Sequence, residues 1–407
     1  MRRATGRNIA ARARGESGLV ITLVAVVLLF VVTAMAALAI DVATFYTARS
    51  QAQLVADSAA LAGARVLANS GITSTSSASY VSPTTTLCQN IAALVGQQNL
   101  TTAQITVTCN LSPRYDPTVS VQVQNTSPTF FARVWGRAPV TVTASAMAEA
   151  YNPSGNSTIP VAPLCVKPWV LPNMDPTNAQ IFDPASGDIT TSLTGQTWLG
   201  FASSPYGSTP VGGQYYAGEV GNNSGDFPEP TQGLPACSSS LSANPPYQLA
   251  VAGCVPQPIA CGAGANVNLD TSIDSTRDAE TLAAVECLIH YNGNALDSDS
   301  LNGAPTATVP FDFIGGNQNP IAGAVGKQLM VSDSLVTVPV YDSSLLAPGS
   351  SVTVIGFLQL FLNPLSGTLG GPIPVTIINQ VGCGTNANEP PIYGNGPSAV
   401  AVRLIHQ

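Results

Sequence analysis

Hydrophobic positions along the chain follow three successive patterns. Gly18 to Ile40 reads GLVITLVAVVLLFVVTAMAALAI, an apolar run without one ionisable side chain. As a helix it is roughly 35 Å long, enough for a hydrocarbon layer of roughly 30 Å. Its fourteen Leu, Ile, Val and Phe residues each favour insertion by about 0.3–0.6 kcal/mol, so the run is expected to span a membrane. A cleavable leader is the rival reading, with AMAALA at 34–39 as the peptidase substrate. Leader cores are usually about 7–15 residues, however, and here the helical pattern continues past that point.

From Asp41 to Ala68 the helical texture persists with alanine in place of bulky residues, and helix propensity stays high. Ala48, Ala52, Ala56, Ala60, Ala64 and Ala68 recur at i+4, with Gly63 beside them. Small residues at this spacing allow close approach of another helix. The ladder drifts about 40° per step, so it predicts a crossing of two or three turns at Ala52–Ala64, with Asp57 among the alanines as an ion-pairing candidate or a solvated side chain. An alanine-rich connector without a partner is the plainer alternative.

Residues 69–86 read as a polar Ser/Thr linker. Helical spacing over Leu87–Gln98 and alternation at Ile105–Cys109, Val119–Val123 and Val140–Ala146 then predict a small α+β unit, with a short helix at Thr129–Trp135. Beyond Tyr151 come short strands between Pro, Gly and Asn clusters: Trp198–Ala202, Val309–Phe313, Leu335–Tyr341, Val352–Phe361, Ile373–Ile378 and Ala399–Ile405. One helix, Ser275–His290, interrupts them. The last strand is expected to bury Val400, Val402 and Leu404 beside Val352–Phe361. The fold class is therefore α+β: a transmembrane helix continuing into an exported helix, a small α+β unit and a β-rich domain. Its boundaries are a tail at 1–17, the span at 18–40, the helix at 41–68, the linker at 69–86, the unit at 87–158 and the β-rich domain at 159–407.

Charge sharpens the topology. Only 9% of residues are charged, against roughly 25% in ordinary soluble domains. Arg2, Arg3, Arg7, Arg12 and Arg14 all precede the apolar run, which places the N-terminus in the cytoplasm and the body outside. From Asp41 onward there are nine basic and twenty-one acidic residues. So acidic a body has little to offer nucleic acid. All eight cysteines follow the run, as suits an oxidising exterior and disulfides. Cys88, opening a helix, and Cys109, closing a strand, are twenty-one positions apart; a helix–strand hairpin brings them together as a candidate bridge.

Catalytic signatures are missing: there is no G-x-S-x-G, H-E-x-x-H or P-loop, and only His290 and His406 are present for imidazole chemistry. Cys287 and His290, with Cys254 and Cys261, contain enough ligands for zinc, although disulfides suit the compartment better. Asp297 and Asp299 offer carboxylates for calcium but lack the rest of an EF-hand loop, and read as a polar turn. Asp41 marks the outer interface, and Glu16 and Ser17 cap the start of the helix. No enzyme activity, cofactor or metal is expected.

Arg14 to Ala68 resembles the N-terminal segment of TadG-like Flp-pilus assembly proteins. The resemblance rests on Arg14–Gly15 before the apolar helix, Asp41 at its exit, Phe45, Tyr46 and Arg49 beyond it, and the block DSAALAGA at Asp57–Ala64. It is similar to longer members of the group at Pro168–Trp169, Gly213–Tyr216 and Val354–Phe357. It departs from many members in having no D-x-S-x-S metal site, and Glu16 follows Gly15 directly, against prepilin-type processing. The resemblance implies a structural, membrane-anchored part in a Tad-type pilus, meeting other envelope proteins through the N-terminal helix. A membrane-anchored adhesin of the same geometry is the alternative, and an exported enzyme a weaker one.

Overall fold

The computed structural model describes residues 12–75, 78–129, 131, 139–155, 157–200, 246–253, 258–262, 266–268, 275–302, 311–329, 331–345, 351–365, 373–384, 389–393 and 398–405. Helix α1 (Arg12–Asn69) runs unbroken for 58 residues, and α2 (Ala78–Asn99) follows after a short turn. Strands β1 (Gln104–Asn110), β2 (Thr118–Ser127) and β3 (Val140–Tyr151) complete the first part. After these come β4 (Val161–Ala162), β5 (Leu171–Pro172), β6 (Thr197–Gly200), α3 (Pro246–Ala252), β7 (Asn266–Asn268), α4 (Ser275–Leu288), β8 (Ser300–Asn302), β9 (Asp312–Ile314) and β10 (Gln328–Leu329). The chain closes with β11 (Leu335–Tyr341), β12 (Ser351–Leu362), β13 (Ile373–Gly382), β14 (Ile392–Tyr393) and β15 (Ala401–Ile405). The architecture is α+β, with a β-rich C-terminal region.

Two compact units share this chain. One is built from Met1–Ala56, Gly96–Thr106 and Gln122–Ser145, the other from Asp57–Val95, Val107–Val121 and Ala146–Gln407. Helix α1 and strands β1, β2 and β3 each run from one unit into the other.

The core of the larger unit is the sheet β5-β11-β12-β13-β6, with β7 also paired to β12. Val336, Val338 and Val340 of β11, Leu358, Leu360 and Leu362 of β12, and Val375 and Ile377 of β13 share one cluster with Val251, Ala284, Val285 and Leu288 of α3 and α4. The i, i+2 spacing puts these strand residues on one face. Phe361 and Ile378 cluster instead with Phe311 and Phe313, so the sheet is covered on both sides. That is why β11 is buried at every position. Pro339 is tolerated within it because β5 pairs only at Val340 and Tyr341, leaving Pro339 at an effective edge.

Three expectations need correction. Helix α2 begins at Ala78, inside the segment read as a linker, and carries Pro83 within it. Thr85 and Thr86 bond back to the carbonyls of Val81 and Ser82, and Thr84 and Cys88 are buried, so packing overrides a composition that favours loops. The C-terminal strand does not pair with β12, whose neighbours are already β11, β13 and β7. It lies antiparallel to β3, giving the order β1-β2-β3-β15, with Arg403 directly opposite Glu149 and their side chains 2.5 Å apart. Its apolar face is also not fully buried: Val400 is, but Leu404 is 43% exposed. Helix α4 stops at Leu288 because His290 adopts φ 55°. The Tyr291 amide donates to the Glu286 carbonyl and the His290 amide to that of Cys287, the paired bonds of a Schellman cap. The expected helix at Thr129–Trp135 lies outside the described residues, apart from Thr129 and Phe131.

Candidate anchoring site

Helix α1 passes through three environments. From Leu19 to Val32 its side chains are exposed, Phe30 at 66% and Leu28 at 62%. Such apolar exposure over an 18-residue window, with mean hydropathy 3.0, makes the segment a candidate membrane span. From Ala37 to Val55 one stripe is buried, formed by Ala37, Asp41, Ala48, Ala52 and Val55. Their spacings of four, seven, four and three keep them on one face. From Ala59 to Asn69 most positions are enclosed, including Ala59, Ala60, Ala64, Val66, Leu67 and Ala68.

The alanine ladder therefore packs within the chain. Ala52, Ala56, Ala60 and Ala64 have no exposed surface, and Asp57 is half-buried beside them. At Gly63 a Cβ would lie 2.9 Å from Val119 of β2 and 3.2 Å from Ala92 of α2, so α1 and α2 meet at small residues. The helix that approaches the ladder at this level is the protein's own. Cys88 and Cys109 are joined, with Cα atoms 6.5 Å apart, tying α2 to β1.

Asp41, immediately after the apolar run, is only 4% exposed, and its carboxylate accepts the Phe131 amide at 3.2 and 3.3 Å. A charged-group hydrogen bond of this kind fixes the chain after β2 against the helix. Nearby, the Gln53 amide nitrogen donates to the Ser145 carbonyl at 3.1 Å.

At its far end α1 enters a buried amide network. The Asn379 side-chain nitrogen donates to the Ala68 carbonyl at 2.6 Å and to Gln359 Oε1 at 2.5 Å. Asn379 and Gln359 face each other across β13 and β12. Gln380 accepts at its carbonyl from Ser74 and Asn152, and its side chain receives the Leu193 amide at 2.6 Å while donating to Thr191 at 2.8 Å. Arg114 donates to the Ser74 carbonyl at 2.7 Å. Among the carbonyls of the helix C-terminus, which have no intrahelical partners, that of Ala68 is thus satisfied by the sheet and that of Leu67 by Ser70. Sequence reading missed this network, because Asn and Gln in an aliphatic strand carry no signature of their partners.

The remaining candidates resolve into structural roles. Cys261 is bonded to Cys383, and Cys287 is also in a disulfide, so neither offers a thiolate for zinc; Cys254 lies outside the described residues. His290 Nε2 lies 3.1 Å from Asp333. Asp299 is fully buried, one oxygen accepting from Gly316 and Asn319 and the other from Ser332, while Asp297 caps a short turn at Asn294. Those bonds staple a polar loop. Arg2, Arg3 and Arg7 lie outside the described residues; Arg12 and Arg14 open α1. Lys167, one of only two lysines, is buried and donates to the Gly253 carbonyl. Burial pulls its pKa down to about 7, with Asp333 opposing the shift.

No curated protein and no solved structure matches this chain. Residues 19–66, which contain the exposed apolar run, the buried stripe and the ladder, match the family described as putative Flp pilus-assembly TadE/G-like.

Proposed function

We propose that the protein is a structural, membrane-anchored envelope component of a Tad-type pilus assembly or anchoring system, without catalytic activity. The observation that carries this reading is the coincidence of the family match at 19–66 with α1. One end of that helix is bare and apolar, and the other is built into a folded body. A helix of 58 residues is about 87 Å long, far more than a hydrocarbon layer of roughly 30 Å requires. The five N-terminal arginines orient it with the body outside. Other pilus-assembly proteins meet its outward side chains, such as Tyr46 at 72% exposure, because the ladder is already occupied.

The test is genetic and direct. Deleting the gene should abolish surface pili in electron micrographs, and the wild-type chain should restore them while a Leu28→Arg chain does not. Unchanged pili in the deletion strain, or piliated cells that merely fail to adhere, would overturn the assembly role, the second outcome in favour of an adhesin. A reporter active only outside the cytoplasm, fused after Gln407, should give signal.

A further inference from the structure

The apolar run closes on two small-x-small triplets, Ala34–Met35–Ala36 and Ala37–Leu38–Ala39. Small residues three and one positions before a bond are what a leader peptidase reads at the end of an apolar core. The second triplet points to the bond between Ala39 and Ile40, where the run ends. Three observations bear on whether that bond can be reached. Helix α1 passes through it without a break, whereas cutting needs an unwound and accessible stretch. Ala37 is only 6% exposed, although Ala36 and Ala39 on other faces of the same turn are exposed. Asp41, the second residue past the bond, is 4% exposed and accepts the Phe131 amide at both carboxylate oxygens. That contact spans 90 positions, so it closes only once residue 131 has followed the helix.

We propose that Ala39–Ile40 is a masked leader-peptidase site, and that Asp41 is the positioning residue that keeps it shut by holding the helix against the folded chain. The proposal rests on the membrane-anchored reading, because a cut at this bond would free the body from the candidate span. The reaction is hydrolysis: water adds across the Ala39–Ile40 amide, leaving a carboxylate on Ala39 and an ammonium on Ile40. A peptidase meets only the opened helix, so the extent of cutting follows the open population. Removing a hydrogen bond to a charged group raises that population by about tenfold to a hundredfold.

The full chain, tagged at its C-terminus, is expressed in its own cells, membrane and soluble fractions are separated, and the N-terminus of each species is sequenced. The wild type should stay full-length in the membrane fraction. Asp41→Ala should release a soluble body beginning at Ile40, about tenfold or more above the wild type. Asp41→Asn keeps an acceptor for the Phe131 amide and should hold release near the wild-type level. Ala39→Val added to Asp41→Ala removes the small residue before the bond, and should return the chain to full length without restoring the Phe131 contact. An Asp41→Ala chain that stays full-length overturns the proposal, as does a body with any other N-terminus. Release that survives Ala39→Val overturns it too, since it marks general proteolysis of a misfolded chain. A wild type that already begins at Ile40 in the soluble fraction overturns the anchored reading itself.

Discussion

The two halves of helix α1 share a backbone geometry and differ in almost everything else. Leu19–Ile40 carries bulky side chains and leaves them bare, whereas Ala52–Ala64 carries small ones and buries them completely. In water the burial of apolar area contributes about 25 cal/mol per Å², which would drive the bulky half inward. Its exposure makes sense when the surrounding medium is hydrocarbon, where large aliphatic side chains need no protein cover. The alanine half faces protein, and there small side chains decide how closely α2 and β2 can approach. One uninterrupted helix joins the two halves.

The ladder gives the largest expected effect. Ala56→Leu with Ala60→Leu barely alters helix propensity but inserts two side chains into positions with no exposed surface. Overpacking at about 1–3 kcal/mol per site threatens a domain with roughly 5–15 kcal/mol in hand. The double variant should be insoluble or protease-sensitive, while Leu54→Ala, at an exposed position of the same helix, should melt with the wild type. Equal melting of both variants would return the ladder to the role of a free docking face. Next in size, Leu28→Arg should impair membrane insertion by about 3–4 kcal/mol, seen as the chain partitioning out of the membrane fraction.

The bridge between Cys88 and Cys109 is expected to contribute about 3 kcal/mol in the chain-entropy model. Non-reducing peptide mapping should recover the two cysteines in one linked species, and Cys88→Ala with Cys109→Ala should lower the melting temperature. At the other end of α1, Asn379→Ala leaves the Ala68 carbonyl and the Gln359 side chain without that donor. The loss should be about 1–3 kcal/mol in denaturant unfolding, with the exposed half of the helix unaffected.

Lys167 gives the smallest and most specific signal. Its pKa in the folded chain lies near 7, below the ordinary lysine value of 10.5. Between those values the unfolded chain binds the proton and the folded chain does not, so stability from this group rises with pH from about 7 towards 10. Below pH 7 both forms are protonated and the burial penalty is fully present. Lys167→Met should flatten the slope of stability against pH over that window, read by urea unfolding at pH 7, 8 and 9.

Much of this was visible in the chain itself. The apolar run, the continuation of the helix and strands such as Leu335–Tyr341 are local patterns, and they stand where periodicity places them. What stayed hidden depends on distant partners. The Ser/Thr-rich start of α2 looks like a linker until Thr84 and Cys88 are seen to be buried. The strand at Ala401–Ile405 is legible as a strand, but its choice of β3 rests on Arg403 meeting Glu149 across 254 positions and on β12 being already paired. The ladder's spacing announces close packing without saying whether the neighbour belongs to the same chain. Asn379, Gln380 and Lys167 are polar residues whose burial no local pattern reveals.

The central claim is that one helix leaves a lipid phase and enters a protein core without a break. Single cysteines at Leu28, Leu54 and Ala60 in the full chain, labelled in native membranes with a membrane-impermeant maleimide, test it most directly. The expected result is rapid labelling at 54, labelling at 28 only after detergent, and labelling at 60 only after unfolding. Labelling at 28 as fast as at 54 in intact membranes would contradict the account.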